Sequence, residues 1–246
     1  MAVKNGTAHI SYRLSELMAY RHGLLQQALL RLARRAVAHL PRPRILDVGC
    51  GRGELMALMA QELAAEVCGL DSDPVCVSMS EATGQVWQAD IGNLSEEMAA
   101  SLAGAFDLVI LSHVLEHLES PYRAMQNIRS FSRQFILLAV PNPHYLPNLL
   151  RLVRGRVSGV NAAHLYSWDA PHWQNFLERH LKLKIVHWEA DYVPFASPGL
   201  REKLLASRRW DFLDGHLLPR AFPRLAESLI VLCEKNSESD DRPWKG

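Results

Sequence analysis

The chain has 246 residues, of which 48% are hydrophobic and 22% charged, and its formal net charge is +1. This length and composition predict one globular domain with a large core and argue against a disordered chain. No apolar run approaches the about 20 residues needed to cross a bilayer. The N-terminus lacks the apolar segment of a signal peptide, so we expect a cytoplasmic protein without a transmembrane segment.

The charges are segregated along the chain. Residues 1–44 carry eight basic side chains and one acidic one, whereas residues 45–120 carry one basic and thirteen acidic ones. The acidic block would repel a polyanion, so we expect no nucleic-acid partner, while the basic flanks could attract anionic groups. Solvated helix faces are the alternative explanation for most of these charges.

The pattern of apolar residues divides the chain into helices and strands. A stretch at about 14–40 has helical spacing, and Pro41 and Pro43 end it. Further helices are predicted at 54–65, 74–82, 96–103, 121–132 and 169–180. Strands are predicted at 44–48, 66–70, 85–89, 106–111, 135–140, 183–190 and 229–233. Apolar strands that alternate with helices predict a doubly wound α/β fold with a seven-stranded, mostly parallel sheet.

Two basic, aromatic segments rich in Pro and Gly interrupt this pattern, at about 144–168 and 192–224. We therefore predict an N-terminal helical segment (1–43), a main domain (44–235) with two insertions, and a disordered polar tail (236–246). The insertions and the N-terminal helix are candidate lids over a ligand site. Among the arginines of the insertions are Arg151, Arg154, Arg156, Arg208 and Arg209. They would suit an anionic ligand, and simple solvation at the surface is the equal alternative.

The segment 45–53 is an apolar strand that runs into a glycine-rich turn and then into a helix. Glycines there let a ligand approach the backbone closely. The dinucleotide fingerprint G-x-G-x-x-G is not met, because Gly53 comes one position early and Glu54 stands in its place. Asp47 would repel a pyrophosphate but suits a ligand that carries an ammonium group. A nicotinamide dehydrogenase is therefore the less favoured interpretation.

The run DVGCGRG at 47–53 is similar to the first motif of the class I S-adenosylmethionine-dependent methyltransferases. Acids after the second and third strands, FDLVILSHVLEHL at 106–118 and VPNP at 140–143 follow in that family's order. These last two resemble its small-molecule branch, which includes the ubiquinone-biosynthesis-type enzymes. The resemblance covers about 44–143 and implies a Rossmann-like fold and S-adenosylmethionine as cofactor. The implied contacts are Asp47, Gly49, Cys50 and Gly51 in the turn, Asp71 and Ser72 at the ribose, Asp90 and Ile91 at the adenine, and Ser112 at a strand end.

The resemblance implies methyl transfer to a small-molecule, lipid or glycan acceptor, which could be anionic, at an oxygen atom. A hydroxyl acceptor would need a general base, and His113 and His164 are the candidates. The alternative is a catalytically degenerate protein that binds the cofactor or serves as a scaffold. Asp71 and Asp90 could instead be helix N-caps.

A rival pattern overlaps the same region. Residues 113–117 read His-Val-Leu-Glu-His, the H-x-x-E-H signature of inverted zinc peptidases. Two histidines four residues apart on a helix could bind zinc, with Glu116 as base. The sequence identifies no third ligand, so we predict no metal.

Overall fold

The computed structural model describes residues 5–156, 161–194 and 213–235. Arg208, Arg209 and the tail 236–246, for which the sequence predicts disorder, lie outside these ranges. The strands are β1 Arg44–Val48, β2 Glu66–Asp71, β3 Val86–Gln88, β4 Phe106–Ser112, β5 Ser132–Pro141, β6 Leu183–Glu189 and β7 Ser228–Lys235. The α-helices are α1 Asn5–Val37, α2 Glu54–Leu63, α3 Pro74–Ser80, α4 Glu96–Leu102, α5 Pro121–Phe131, α6 Leu146–Val153, α7 Ala170–Asn175 and α8 Leu218–Ala221. Short 3₁₀ and π turns occur at Ile91–Asn93, Leu115–His117, Phe176–His180, Leu213–Leu217 and Pro223–Leu225.

The strands form a single sheet in the order β3-β2-β1-β4-β5-β7-β6. Strands β1 to β5 pair in parallel, whereas β7 runs antiparallel to both β5 and β6. The chain moves outward from β1 to β3 and then returns to place β4 on the other side of β1. The predicted doubly wound α/β fold with a seven-stranded, mostly parallel sheet is therefore confirmed.

Both faces of the sheet are covered, which explains why its strands are apolar throughout. Side chains alternate between the faces along β1. Leu46 and Val48 pack in one core with α5 and α7, whereas Ile45 packs in the other core with α1 and α2. Asp47 therefore shares the face that α1 covers.

The second half of α1 packs directly on the sheet. Leu29, Leu32 and Ala36 are at most 1% exposed and belong to the same core as the α2 side of the sheet. The guanidinium Nε of Arg31 donates to Glu189 at the end of β6 at 3.2 Å. The helix predicted at 14–40 is thus observed, and its packing fixes its position over the sheet.

Part of the first insertion is helical, which its Pro and Gly content does not suggest. Helix α6 starts with Pro147 in its first turn, where proline is tolerated because the first amides of a helix have no partner within it. No helix in the described part of the chain is long and apolar enough to span a membrane. The cytoplasmic location stays a prediction.

Replacement of two glycines by alanine is expected to change the stability of the fold in opposite directions. A Cβ at Gly84 would lie 2.3 Å from the carbonyl oxygen of Val67, so Gly84→Ala must displace backbone and should destabilise the fold by about 2–3 kcal/mol. A Cβ at Gly23 in α1 would have no atom of the described residues within 4 Å. Gly23→Ala should therefore stabilise by about 0.5–1 kcal/mol through helix propensity. Chemical denaturation measures both, and an unchanged midpoint for Gly84→Ala would contradict the clash.

Candidate active site

The glycine-rich turn lies where the strand order of the sheet reverses. It follows β1 directly, and β4 ends beside it because Val48 pairs with Leu111. Ligands bind outside the carboxyl ends of the strands at such a point in doubly wound sheets. The amide of Gly49 donates to the carbonyl of Leu70 at 2.7 Å, which holds the turn against β2.

Position 49 accepts only glycine without rearrangement. Gly49 has φ +73°, and a Cβ there would lie 2.4 Å from Cγ2 of Val114, in the turn after β4. At Gly51 a Cβ would meet nothing within 4 Å in the described part of the chain, so that side of the turn is open to a ligand. No Cβ therefore stands between the backbone of these two glycines and a ligand in the turn.

A cavity of about 220 Å³ adjoins this turn. Five of the predicted cofactor residues line it: Asp47, Gly49, Cys50, Gly51 and Ser112. Side chains of α1 line the opposite side: His22, Leu25, Gln26 and Leu29. The predicted lid role of the N-terminal helix thus has a structural counterpart. The individual α1 residues could not be identified from the sequence, because helical periodicity does not say which residues face a ligand.

Asp47 is a buried carboxylate at the end of β1, only 3% exposed. Burial raises its pKa to about 7, and the negative charge of Asp71 adds to this rise. A cationic group placed beside Asp47 would favour the ionised carboxylate. The site therefore fits the ammonium group of a ligand better than it fits a phosphate.

Asp71 ties the end of β2 to the glycine-rich turn. Its Oδ2 accepts from the amide of Gly51 at 2.8 Å, and its Oδ1 accepts from the amide of Asp73 at 2.9 Å. Asp73, and not Asp71, is the N-cap of α3. Because each carboxylate oxygen has two lone pairs, Asp71 keeps acceptor capacity for ribose hydroxyls.

The other predicted cofactor residues lie apart from this cavity or serve the fold. Asp90 caps the following 3₁₀ turn by accepting from the amide of Gly92 at 2.8 Å, as the N-cap alternative predicts. Ile91 is buried in the core, and Ser72 is exposed. Within the cavity, burial raises the pKa of Cys50 to about 11, so its thiol stays neutral. The adenine contacts stay a prediction.

A second cavity, of about 280 Å³, adjoins the first. The two share His22 and Leu25 of α1, so one helix borders both. The remaining lining residues are Met18, Arg21, His113, Asp191, Glu227 and Ser228. This arrangement places a polar cavity next to the predicted cofactor site, on the side of the predicted base His113.

His113 directly follows β4 and has φ +57°, which is unusual for a residue with a side chain. Its amide donates to the carbonyl of Ala139 at 2.9 Å, which fixes this turn to β5. Its Nε2 lies 3.1 Å from Oγ of Ser228, and its Nδ1 lies 3.3 Å from Oε1 of the buried Glu116. The sequence gives no sign of the contact with Ser228, which is 115 positions away.

His164 lies elsewhere, against His117 with ring centroids 4.8 Å apart, and it lines neither cavity. Burial lowers its pKa. Nitrogen and oxygen atoms of Glu116, His117 and His164 lie within 4.8 Å of one another. His113 is not in this group, so the arrangement differs from the peptidase pattern, in which His113 and His117 would be the ligands.

The arginines of the first insertion are exposed and border neither cavity: Arg151, Arg154 and Arg156. Arg21 of α1 does border the second cavity, and its Nε donates to Glu227 at 2.7 Å. At the second cavity the arginine thus comes from the N-terminal helix and is paired with a carboxylate.

The topology, with an antiparallel β7 beside a parallel sheet, and the acid-flanked glycine turn at its switch point define a class I S-adenosylmethionine-dependent methyltransferase. A comparison with protein families agrees. The family described as a methyltransferase domain matches residues 17–182. The chain belongs to this methyltransferase family, whose cofactor is S-adenosylmethionine.

Curated relatives resemble only part of the chain. A ubiquinone biosynthesis O-methyltransferase of Burkholderia thailandensis is 37% identical over 98 residues, which cover 35% of this chain and 38% of that protein. The enzyme of that name from Escherichia coli O127:H6 is 41% identical over 81 residues, covering 32% and 33%. The chain thus matches 38% and 33% of the length of these two relatives.

Solved structures share the fold across most of the chain. Magnesium protoporphyrin IX methyltransferase from Synechocystis PCC 6803, with bound S-adenosylhomocysteine, has a TM-score of 0.60 and 18% identity, covering 94% of this chain and 96% of that one. A methyltransferase from Archaeoglobus fulgidus has a TM-score of 0.52 and 20% identity, covering 85% and 94%. At such identities the likeness concerns the Rossmann-like fold alone.

Proposed function

We propose that this methyltransferase transfers a methyl group from S-adenosylmethionine to a hydroxyl oxygen of a small-molecule acceptor. The position of His113 carries the proposal, because it lines a cavity that adjoins the cofactor cavity. A hydroxyl is a weak nucleophile until its proton is removed, and imidazole suits that task near neutral pH. The relatives named as O-methyltransferases support oxygen as the methylated atom.

The cofactor would lie along the glycine-rich turn, with its ammonium group near Asp47 and its ribose near Asp71. When bound, S-adenosylmethionine supplies a methyl group on a positively charged sulfur, which is already a good leaving group. The chain therefore has to align the acceptor and exclude water. His22 and Leu25 support this role for α1, since they border both cavities.

The second cavity favours a small polar acceptor over a lipid or a glycan. Its volume is about 280 Å³, and five of its lining residues can be charged: Arg21, His22, His113, Asp191 and Glu227. An anionic group on the acceptor could pair with Arg21 in place of Glu227. Arg151, Arg154 and Arg156 of the first insertion, which would suit an anionic ligand, line neither cavity.

Isotope transfer tests the proposal. The protein is incubated with S-adenosylmethionine labelled in its methyl group, separately with polar-metabolite and lipid extracts, and labelled products are identified by mass spectrometry. We expect a labelled methyl ether in the polar extract. Label only in lipids would refute the acceptor class, and binding of the cofactor without any transfer would support a degenerate binding protein.

Replacement of the two predicted bases should separate their roles. His113→Gln should lower kcat at least ~100-fold with cofactor affinity unchanged, because a general base contributes roughly 10²–10⁴-fold. His164→Gln serves as the comparison, and a smaller loss is expected because His164 borders neither cavity. Steady-state kinetics and calorimetry with S-adenosylhomocysteine measure the two effects. Full activity of His113→Gln would rule out His113 as the base.

A further inference from the structure

A chain of hydrogen bonds runs from His113 into the protein. Nε2 of His113 lies 3.1 Å from Oγ of Ser228, and this hydroxyl donates to Oδ2 of Asp191 at 2.7 Å. All three residues line the second cavity. They come from different elements: the turn after β4, the start of β7 and the segment after β6.

Asp191 is held rigidly. It is 2% exposed, and its Oδ1 accepts from the amides of Tyr192 at 2.7 Å and of Ser228 at 3.2 Å. The amide of Glu227 donates to the carbonyl of Tyr192 at 2.9 Å, which joins the two segments again. The carboxylate and the serine hydroxyl are therefore fixed relative to each other before any ligand binds.

The protonation state of Asp191 decides the direction of these hydrogen bonds. An ionised carboxylate only accepts, so the hydroxyl of Ser228 must donate to it. The oxygen of Ser228 is then left to accept from His113, which requires a proton on Nε2. We propose that Asp191 and Ser228 are positioning residues that hold His113 as the Nε2–H tautomer, with Nδ1 as the atom that accepts the acceptor's proton.

This inference rests on the proposed function of His113 and completes its chemistry. The O–H bond of the acceptor breaks and its proton moves to Nδ1. The oxygen keeps that electron pair and forms the new bond to the methyl carbon, whose bond to sulfur breaks and leaves its own electron pair on the sulfur. Oε1 of Glu116 lies 3.3 Å from Nδ1, and neither carboxylate oxygen of Glu116 has a hydrogen-bond partner in the described chain. Glu116 can therefore stabilise the imidazolium once Nδ1 is protonated.

The charged groups around His113 set the pH range of this arrangement. They are Glu116 in the next turn, Asp191 after β6, Glu227 before β7, Arg21 and His22 on α1, and the more distant His164. Burial raises the pKa of Asp191 to about 6, against the effect of the hydrogen bonds from Ser228. Above pH 6 Asp191 is ionised and holds the tautomer; below it, the serine hydroxyl is free to reverse.

Nitrogen NMR tests the inference on the protein alone. The chain is labelled with ¹⁵N-histidine, His113→Gln assigns the His113 signals, and long-range ¹H–¹⁵N spectra distinguish protonated from unprotonated ring nitrogens. At pH 8 we expect Nε2 protonated and Nδ1 unprotonated in the wild type. Ser228→Ala and Asp191→Asn should lose this preference. Asparagine is chosen at position 191 because its Oδ1 can still accept from the two backbone amides.

The matched control is Ser132→Ala, a buried serine at the opposite end of β5, whose hydroxyl donates to Phe135. It should leave the His113 spectrum unchanged. With the acceptor in hand, Asp191→Asn should lower kcat at least ~10-fold, since it removes part of the effect of the base. An Nδ1–H tautomer in the wild type, or an unchanged tautomer in both variants, would overturn the inference. Full activity of His113→Gln with the expected spectra would instead refute the proposed base.

Discussion

Asp47→Asn is expected to lower the affinity for S-adenosylhomocysteine at least ~10-fold at pH 8, because a buried charge-assisted contact is lost. The carboxylate is 3% exposed at the edge of the cofactor cavity, and the ligand brings an ammonium group. Asparagine has nearly the same shape but carries no charge. Isothermal calorimetry of both proteins gives the ratio directly.

The affinity of the wild type should also rise with pH. Burial, and then the charge of Asp71, raises the pKa of Asp47 to about 7, so most of the free protein has this group protonated at pH 6 and ionised at pH 8. A cationic ligand binds the ionised form, so affinity should increase about tenfold over this range. The dependence should vanish in Asp47→Asn.

Asp107 provides the control for this experiment. It lies at the opposite end of β4, where it accepts from the amide of Arg44 and pairs with Arg133 at 2.8 Å. Asp107→Asn removes an acid of similar size near the same strands without touching the cavity. It should leave both the affinity and its pH dependence unchanged. A steep pH dependence that survives in Asp47→Asn would contradict the assignment.

The sheet and the cofactor turn could be predicted because their signals are local. A strand covered on both faces is apolar at every position, so β1, β4 and β5 stand out in the sequence. Asp47 lies in β1, and the glycines of the turn follow this strand directly in the sequence. Asp47 and Gly49 could therefore be located without knowledge of the rest of the fold.

The acceptor side of the site could not be predicted, because its residues come together only through the topology. Ser228 reaches His113 because β7 inserts antiparallel between β5 and β6. Arg21 borders the cavity because α1 packs against the sheet. The spacing of residues along the sequence does not indicate such long-range contacts. His164 is also a candidate base from the sequence, in a segment whose aromatic residues suggest a lid. In the structure its ring packs beside that of His117.

Gly49→Ala is expected to destabilise the fold by about 2–4 kcal/mol, from left-handed backbone strain and overpacking together. It should also weaken S-adenosylhomocysteine binding at least ~10-fold, because Gly49 lines the cofactor cavity beside Asp47. Gly104 has φ +61°, and no atom of the described ranges lies within 4 Å of a Cβ placed there, so Gly104→Ala isolates the strain. It should cost about 1–2 kcal/mol and leave binding intact. Denaturation and calorimetry measure both quantities.

A second substitution separates the clash from the strain in Gly49→Ala. The added methyl would lie 2.4 Å from Cγ2 of Val114, whose neighbour is His113. Val114→Ala removes that atom, so Gly49→Ala/Val114→Ala should recover part of the lost affinity although the backbone strain remains. Val114, in the turn after β4, contacts the turn after β1. Gly49→Ala alone should therefore also disturb the ring of His113. If the second substitution recovers nothing, the two turns are not coupled through Val114.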